Sequence, residues 1–442
     1  MKHLLLRAPK NPFEVVTPER TLDQDKIGAN SGNLIFVEAA HKILATSGTD
    51  VTADRFLIEP RAADEISERY DGYVIPLANA FRVSYEANLI GLTQLIERLR
   101  IPVVVLGVGV QSNPRFETKH LRRIEPSVRA FVRAVLDHGP SIGVRGAFSA
   151  SYLAGLGFRD VDVIGCPSMF LNGRSLRVDK RRPSLDRDSR PVINVSPYVQ
   201  AMGPIVMRHV ERYPNLRYIA QDIETLERLL WGEPAGEAAI QDPLPIHGSH
   251  PLLRDGKTRL YVDPWPWIED LAACDFSFGT RIHGNIAAIL AGTPAFVFAH
   301  DSRTLEMAEY FAIPHRRMRD VPPDVDAADL YEEADFGPLN DGHAERFATF
   351  TAYLERHRLE HVFQPGEDPG AFDARIRAIA FPPAVTARDP AAGSAWRRQV
   401  QRIRRAIRRA RTAPRVRAWQ TNWLRRARRR SGRDGPTARP DW

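Results

Sequence analysis

The stretch CDFSFGTRIHGNIAAILAGTPAFVFAH, Cys274 to His300, reads as strand, helix and strand in close succession. An apolar run ends at Gly279, and an Ala- and Ile-rich helical pattern follows. Gly292-Thr293-Pro294 stops the helix, and a second apolar run starts at Ala295. Two buried strands joined by one helix lie parallel in a single sheet, because the crossover helix returns the chain in the same direction. At the first strand–helix junction stand Arg281 and His283, followed by Gly284. Helix N-terminal amides and the helix dipole favour an anion there. Arg adds a planar donor fork, His can give or take a proton near neutral pH, and Gly lets a ligand approach closely. The alternative is a helix-start His bonded to backbone beside an Arg in a surface ion pair, and three residues do not decide between the two.

The same alternation extends in both directions. "HLLLRA", "RFLIE", "YVIPLANAF", "IPVVVLGVG", "SIGVRG" and "VDVIG" read as strands. "GANSGNLIFVEAAHKIL", "YEANLIGLTQLIERLR", "RRIEPSVRAFVRAVLDH" and "AFSASYLAGLGF" read as helices or as turns opening helices. Asn172 to Pro191 is charged and nearly free of apolar residues, as a linker is. "VINVSPY", "LRYIA" and "RLYVD" then restart the strands. The expected class is α/β, with two doubly wound domains facing a cleft and ligands at the carboxyl ends of the strands. The boundaries read as domain 1–173, linker 174–190, domain 191–381 and tail 382–442.

A chain of 442 residues, 43% apolar and 26% charged, is long enough for two ordinary globular domains. Cys166 and Cys274 both sit inside apolar runs, so neither a disulfide framework nor a Cys metal site is expected, and no metal is indicated. The N-terminus lacks a signal-peptide pattern, and the best apolar runs are too short or too broken by Gly and Pro to cross a bilayer. These features point to a cytoplasmic protein. The net charge of +8 belongs to the tail: from Arg397 onward, 17 Arg face two Asp, a net +15, leaving −7 for residues 1–396. Trp396, Val400, Ile403, Ile407 and Ala410 recur at helical steps among the Arg residues. Such a basic amphipathic helix fits an anionic membrane surface, here through 396–430, at the inner face of the plasma membrane. An Arg tail on nucleic acid or an anionic polysaccharide is the competing reading, and the apolar stripe favours the membrane, so no specific nucleic-acid partner is expected.

Other junctions carry weaker signals. Gly28, Asn30, Gly32 and Asn33 in "GANSGN" suit positive φ and backbone donors toward an anion or hydroxyl; an ordinary Asn-capped loop fits equally well. Gly109 and Gln111 in "GVGVQSN" close a buried strand on the ligand side of the sheet, or form a plain turn. Arg145 repeats the layout of Arg281, as an anion binder or a strand-end Arg paired with a surface acid. Asp25, Glu86 and Asp222 could each supply a base. His247 and His250 lie in a Pro/Gly loop without a clear third metal ligand, and Trp265 and Trp267 in "DPWPW" suit sugar stacking or interdomain packing.

Taken in order, "GANSGN", "VVLGVGVQ", "IGVRGAFSASYLAGLGFRDVDVIGCPSMFL" and "CDFSFGTRIHGNIAAILAGTPAFVF" resemble the polysaccharide pyruvyl transferase family, over roughly Gly28 to Pro314. The resemblance implies two Rossmann-like domains, similar to two-domain (GT-B type) glycosyltransferases. It implies phosphoenolpyruvate as co-substrate, no cofactor, and a sugar hydroxyl pair of a cell-surface glycan or its lipid-linked precursor as acceptor. His283 would be the general acid, and Arg281 and Arg145 would hold carboxylate and phosphate beside Gly284. Cys166 stands where many members have an acidic residue, and Arg303 near where many have Lys. A nucleotide-sugar-dependent glycosyltransferase, or a catalytically inactive glycan- or membrane-binding relative, are the alternatives on the same architecture.

Overall fold

In the computed structural model, which describes residues 1–232 and 242–387, the strands form parallel sheets. The first runs in the order β2 (Thr49–Ala53), β1 (Lys2–Leu6), β3 (Gly72–Pro76) and β4 (Val103–Leu106). β5 (Ile142–Val144) pairs with β6 (Val161–Val163) and joins the β4 side through a parallel bridge between Val108 and Val144. The second sheet runs β12 (His315–Arg317), β11 (Ala295–Ala299), β10 (Phe276–Gly279), β7 (Pro191–Asn194), β8 (Arg217–Ala220) and β9 (Thr258–Leu260). Counted from β7, this is the 3-2-1-4-5-6 order of a doubly wound sheet. Its order reverses between β7 and β10, and a crevice opens beyond their carboxyl ends. Central strands such as Val103–Leu106 are buried at every position. Both sheet faces are covered by helices, so these strands read as apolar runs without alternation.

One expected strand is corrected. "RFLIE" is a turn, with Arg55 and Phe56 at φ +59° and +57°, and the Phe56 N–H donates to Asp54 Oδ1 at 2.8 Å. The strand is TDVTA instead, with Leu4 opposite Val51. An edge strand with one covered face carries few apolar residues, so counting them favours its neighbour.

The charged stretch 174–190 lies along the second sheet. Val178 and Leu185 are buried, and the guanidinium of Arg181 donates to the carbonyls of Ala291 and Gly292 at 3.3 Å each. The helix Gly337–Arg356 brings the chain back to the first sheet. Tyr353 donates its hydroxyl to Val105 O at 2.8 Å, and the Val362 N–H donates to Ile43 O at 2.8 Å. Both sheets therefore belong to one compact unit, and one core cluster runs from Leu6 and Ile35 through Met169 to Ile219 and Ile286. Of the expected tail, residues 382–387 are described; there Val385 and Leu260 exchange backbone hydrogen bonds at 2.7 and 3.1 Å. The basic helix and the membrane-binding segment 396–430 lie outside the described residues. No helix among the described residues is long and apolar enough to cross a membrane.

Candidate active site

A buried polar knot shapes the reversal between β7 and β10. Asn194 Nδ2 donates to Asn285 Oδ1 at 2.9 Å and to Ser277 Oγ at 3.2 Å, while its Oδ1 accepts the Arg281 N–H at 2.9 Å. Gly279 has φ +138°, and a Cβ there would run into the Asn194 carbonyl oxygen. Only glycine permits that approach. The knot fixes Arg281 as N-cap and His283 in the first turn of the helix Ile282–Leu290.

His283 is buried against the helix Gly32–Leu44. Its ring lies against Phe36, with centroids 5.6 Å apart, and a Cβ at Gly32 would stand 2.9 Å from its own Cβ. Nε2 is 3.9 Å from Cys166 Sγ, which accepts the Ser168 hydroxyl at 3.1 Å. Burial pushes the imidazole well below its usual range, and the like charges of Arg145 and Arg303 push the same way. Free His283 is therefore neutral at pH 7.

Arg145 is fully buried. Its Nε donates to Gly107 O at 2.8 Å and its Nη2 to Leu77 O at 3.4 Å, while Nη1 has no partner. Gly109 makes room for it: a Cβ there would come within 2.8 Å of Arg145 Cδ. Arg303 arrives from the next strand–helix junction, with Nη2 at 3.3 Å from Asp301 Oδ2 and a buried Nε without a partner. Asp301 also caps the helix Ser302–Phe311. Buried N–H groups of this kind are rare unless something completes them.

The remaining expected residues divide. Arg281 pairs with Asp222 rather than standing free. Asp222 is pushed up by burial against the pull of that guanidinium, and its Oδ2 is buried without a bond from another residue. Gly284 packs on Gln221 and Asn194. The loop Gly28–Asn33 crosses to the second sheet, where Asn30 bridges Asp222 and the Ser31 N–H donates to Gln221 O at 2.9 Å. The Asn side chains serve the loop itself: Asn30 Oδ1 accepts from Gly32 N–H at 2.8 Å, and Asn33 Nδ2 donates to Gly28 O at 2.9 Å. Gly28, at φ +58°, shapes the same turn. Gln111 accepts from Asn79 Nδ2 at 2.6 Å, and the next residue, Ser112, exchanges bonds with Ser302 at 2.7 and 2.9 Å beside Arg303. Asp25 and Glu86 are engaged elsewhere: Asp25 accepts from the Ala29 N–H at 2.7 Å, and Glu86 accepts from Ser127 at 3.0 Å. His250 caps the turn at Leu252, and Trp267 is buried.

Sequence reasoning left out Asn194, Gln221, Tyr198 and Glu306, and gave Arg303 no role in the site. Tyr198 stands exposed at the crevice mouth, with its hydroxyl 3.3 Å from His300 Nε2. Glu306 accepts from both the N–H and the hydroxyl of Ser149, at 2.6 and 2.8 Å, and burial pushes it up to about 7. Arg303 did leave a signal. A cation in the first turn of a helix opposes the helix dipole, so an Arg placed there has another use.

The polysaccharide pyruvyl transferase family model matches residues 30–302. No curated protein matches. Among solved structures, the MnaA–UDP co-structure from S. aureus is 12% identical, covering 83% of this chain and 100% of that one, with a TM-score of 0.41. A UDP-GlcNAc 2-epimerase from Neisseria meningitidis bound to UDP-GlcNAc is 10% identical, covering 86% and 100%, with a TM-score of 0.38. The glycotransferase of kitacinnamycin is 12% identical, covering 85% and 99%, with a TM-score of 0.33. The family match takes in well over half of the chain, including the junctions of Arg145 and His283. The chain belongs to the polysaccharide pyruvyl transferase family.

Proposed function

We propose that the protein moves the pyruvyl group of phosphoenolpyruvate onto two hydroxyls of a glycan sugar, or of its lipid-linked precursor, as a ketal. One observation carries this reading. Two guanidiniums, the fully buried Arg145 and the partly buried Arg303, each keep a buried N–H without a partner, and both act on one imidazole at a helix N-terminus. A small molecule with a carboxylate and a phosphate completes such donors, and an enol ester needs a proton donor beside them.

The chemistry balances with these groups. His283 gives a proton to the methylene carbon, and positive charge develops at the central carbon. One sugar hydroxyl adds there and loses its proton. The phosphate leaves with its bridging oxygen, and the second hydroxyl takes its place. Of the two hydroxyl protons, one ends on phosphate and the other restores the acid. Asp222, with a buried free oxygen and a raised proton affinity, is the base on the acceptor side, and Arg281 orients it. The helix N-terminus and the two Arg residues stabilise the leaving phosphate.

The test is a donor comparison. The protein is incubated over an acceptor extract with phosphoenolpyruvate, and separately with nucleotide sugars. Phosphate release together with an acceptor mass gain of one pyruvyl ketal is expected. Acceptor-dependent use of a nucleotide sugar, with phosphoenolpyruvate untouched, would sink the proposal in favour of a glycosyltransferase. His283→Ala is expected to lower turnover by at least about 100-fold, the usual range for losing a general acid.

A further inference from the structure

A general acid has to hold a proton, and the surroundings of His283 give it no reason to hold one before substrate arrives. Among the described residues its polar partner is the Cys166 sulfur, 3.9 Å away. The other walls are Phe36 and Gly32 from the helix Gly32–Leu44. The charges acting on it are the guanidiniums of Arg145 and Arg303, both of the wrong sign. Nearby carboxylates are already committed: Asp222 to Arg281, Asp301 to Arg303 and its own helix cap, and Glu306 to Ser149. Among the described residues the pocket thus holds two cations, an uncharged imidazole and no carboxylate paired with that imidazole.

We infer that His283 takes up its proton from water when phosphoenolpyruvate binds, so that substrate and catalytic proton enter the site together. This rests on the phosphoenolpyruvate reading above. A trianion between Arg145 and Arg303 cancels the charges that, together with burial, keep the ring neutral, and gives an imidazolium a counter-ion. The substrate switches on its own acid. The free enzyme avoids a third buried positive charge.

The measurement needs no acceptor. Titration calorimetry with phosphoenolpyruvate is run above about pH 7.5, where a phosphate monoester with its second pKa near 6 is fully ionised. Buffers of different ionisation enthalpy then report the protons taken up. The expected result is close to one proton per bound phosphoenolpyruvate, with an association constant that falls about tenfold per pH unit. His283→Asn, and His283→Gln as a second variant, are expected to bind with weaker, buffer-independent heats.

Glu306 competes for the proton, since burial pushes it up to about 7 and it lies close to Arg145, and so does His300, a buried imidazole that Arg303 also holds down; uptake at His300 would survive in the His283 variants. Glu306→Gln is expected to keep the uptake. Binding with no uptake in the wild-type protein overturns the inference. So does uptake that survives in both His283 variants or disappears in Glu306→Gln. Absence of any phosphoenolpyruvate binding is a different result and removes the pyruvyl-transfer reading itself.

Discussion

A methyl group at position 32 would stand 2.9 Å from His283 Cβ, Gln221 Oε1 and Asn30 Oδ1 at once. Gly32 opens the helix Gly32–Leu44, where Ala is otherwise a good residue. Gly32→Ala is therefore expected to displace His283, to lower kcat/KM by about tenfold or more and to lower the melting temperature as well. Gly155→Ala is the control. It lies in a helix with nothing within 4 Å of a Cβ, so it should stabilise by about 0.5–1 kcal/mol and leave activity alone. Steady-state kinetics and thermal melts of both variants check the pair. At this scale the sequence is a fair guide to type and a poor one to partner. Arg281, His283 and Gly284 were legible because a strand–helix junction is local. That Gly32 exists to clear His283 was not, since the two are far apart in the chain.

The elements are held by one buried ionic cluster that the sequence does not announce. Lys10, just beyond β1, meets Glu38 from the helix Gly32–Leu44 and Asp263 from just beyond β9. All three side chains are buried, and Glu38 lies 3.5 Å from Lys10 Nζ. One cation cannot balance two carboxylates. Burial, partly offset by Lys10, pushes Glu38 up to about 8 and Asp263 to about 6, so Glu38 carries a proton at pH 7. Lys10→Met strands Asp263 and should cost about 3–5 kcal/mol. Glu38→Gln, which mimics the protonated form, should cost far less.

The sign of the pH effect follows. Between the ordinary carboxyl value of 4.5 and about 8, the folded chain holds a proton on Glu38 that the unfolded chain has released. That contribution is fully present below 4.5 and is lost as pH rises through about 8. Melts from pH 7 to 8, above the Asp263 transition, should show a falling Tm in the wild-type protein and a flatter profile in Glu38→Gln, with the slope that remains belonging to Glu306 near 7. Equal slopes would show that the proton sits elsewhere. Trp265 and Trp267 of "DPWPW" follow Asp263 directly, and both pack into the core cluster, which is the packing reading of that motif.

On the scale of the whole molecule, the crevice and the tail make separate claims. The crevice residues described above lie within residues 1–387. The tail carries 17 Arg beyond residue 396, and each basic residue near an anionic bilayer is worth up to about 1 kcal/mol before screening. Full-length protein should sediment with anionic vesicles in a salt-sensitive way, and a chain ending at residue 390 should not. Equal binding by both chains would remove the membrane proposal. Phosphoenolpyruvate binding should be the same in both chains, since Arg145, Asp222, His283 and Arg303 all lie before residue 388.

The alternation of apolar runs and helical patterns fixed the α/β class, because a parallel sheet buried on both faces must be written as apolar runs separated by crossover helices. It also fixed the chemistry-bearing residue types at each junction, because helix N-termini and glycine turns are decided by neighbours in the chain. The tertiary structure decided which junctions meet. Sheet order places the ends of β7 and β10 side by side and brings Arg145, Cys166 and Gly32 to His283 across more than a hundred residues. Asp222, one of three candidate bases on paper, comes to stand beside Arg281. Arg303 becomes a second cation of the site by the same means. Burial and the proximity of charges are properties of the folded arrangement, and so is the neutral state of His283 that follows from them.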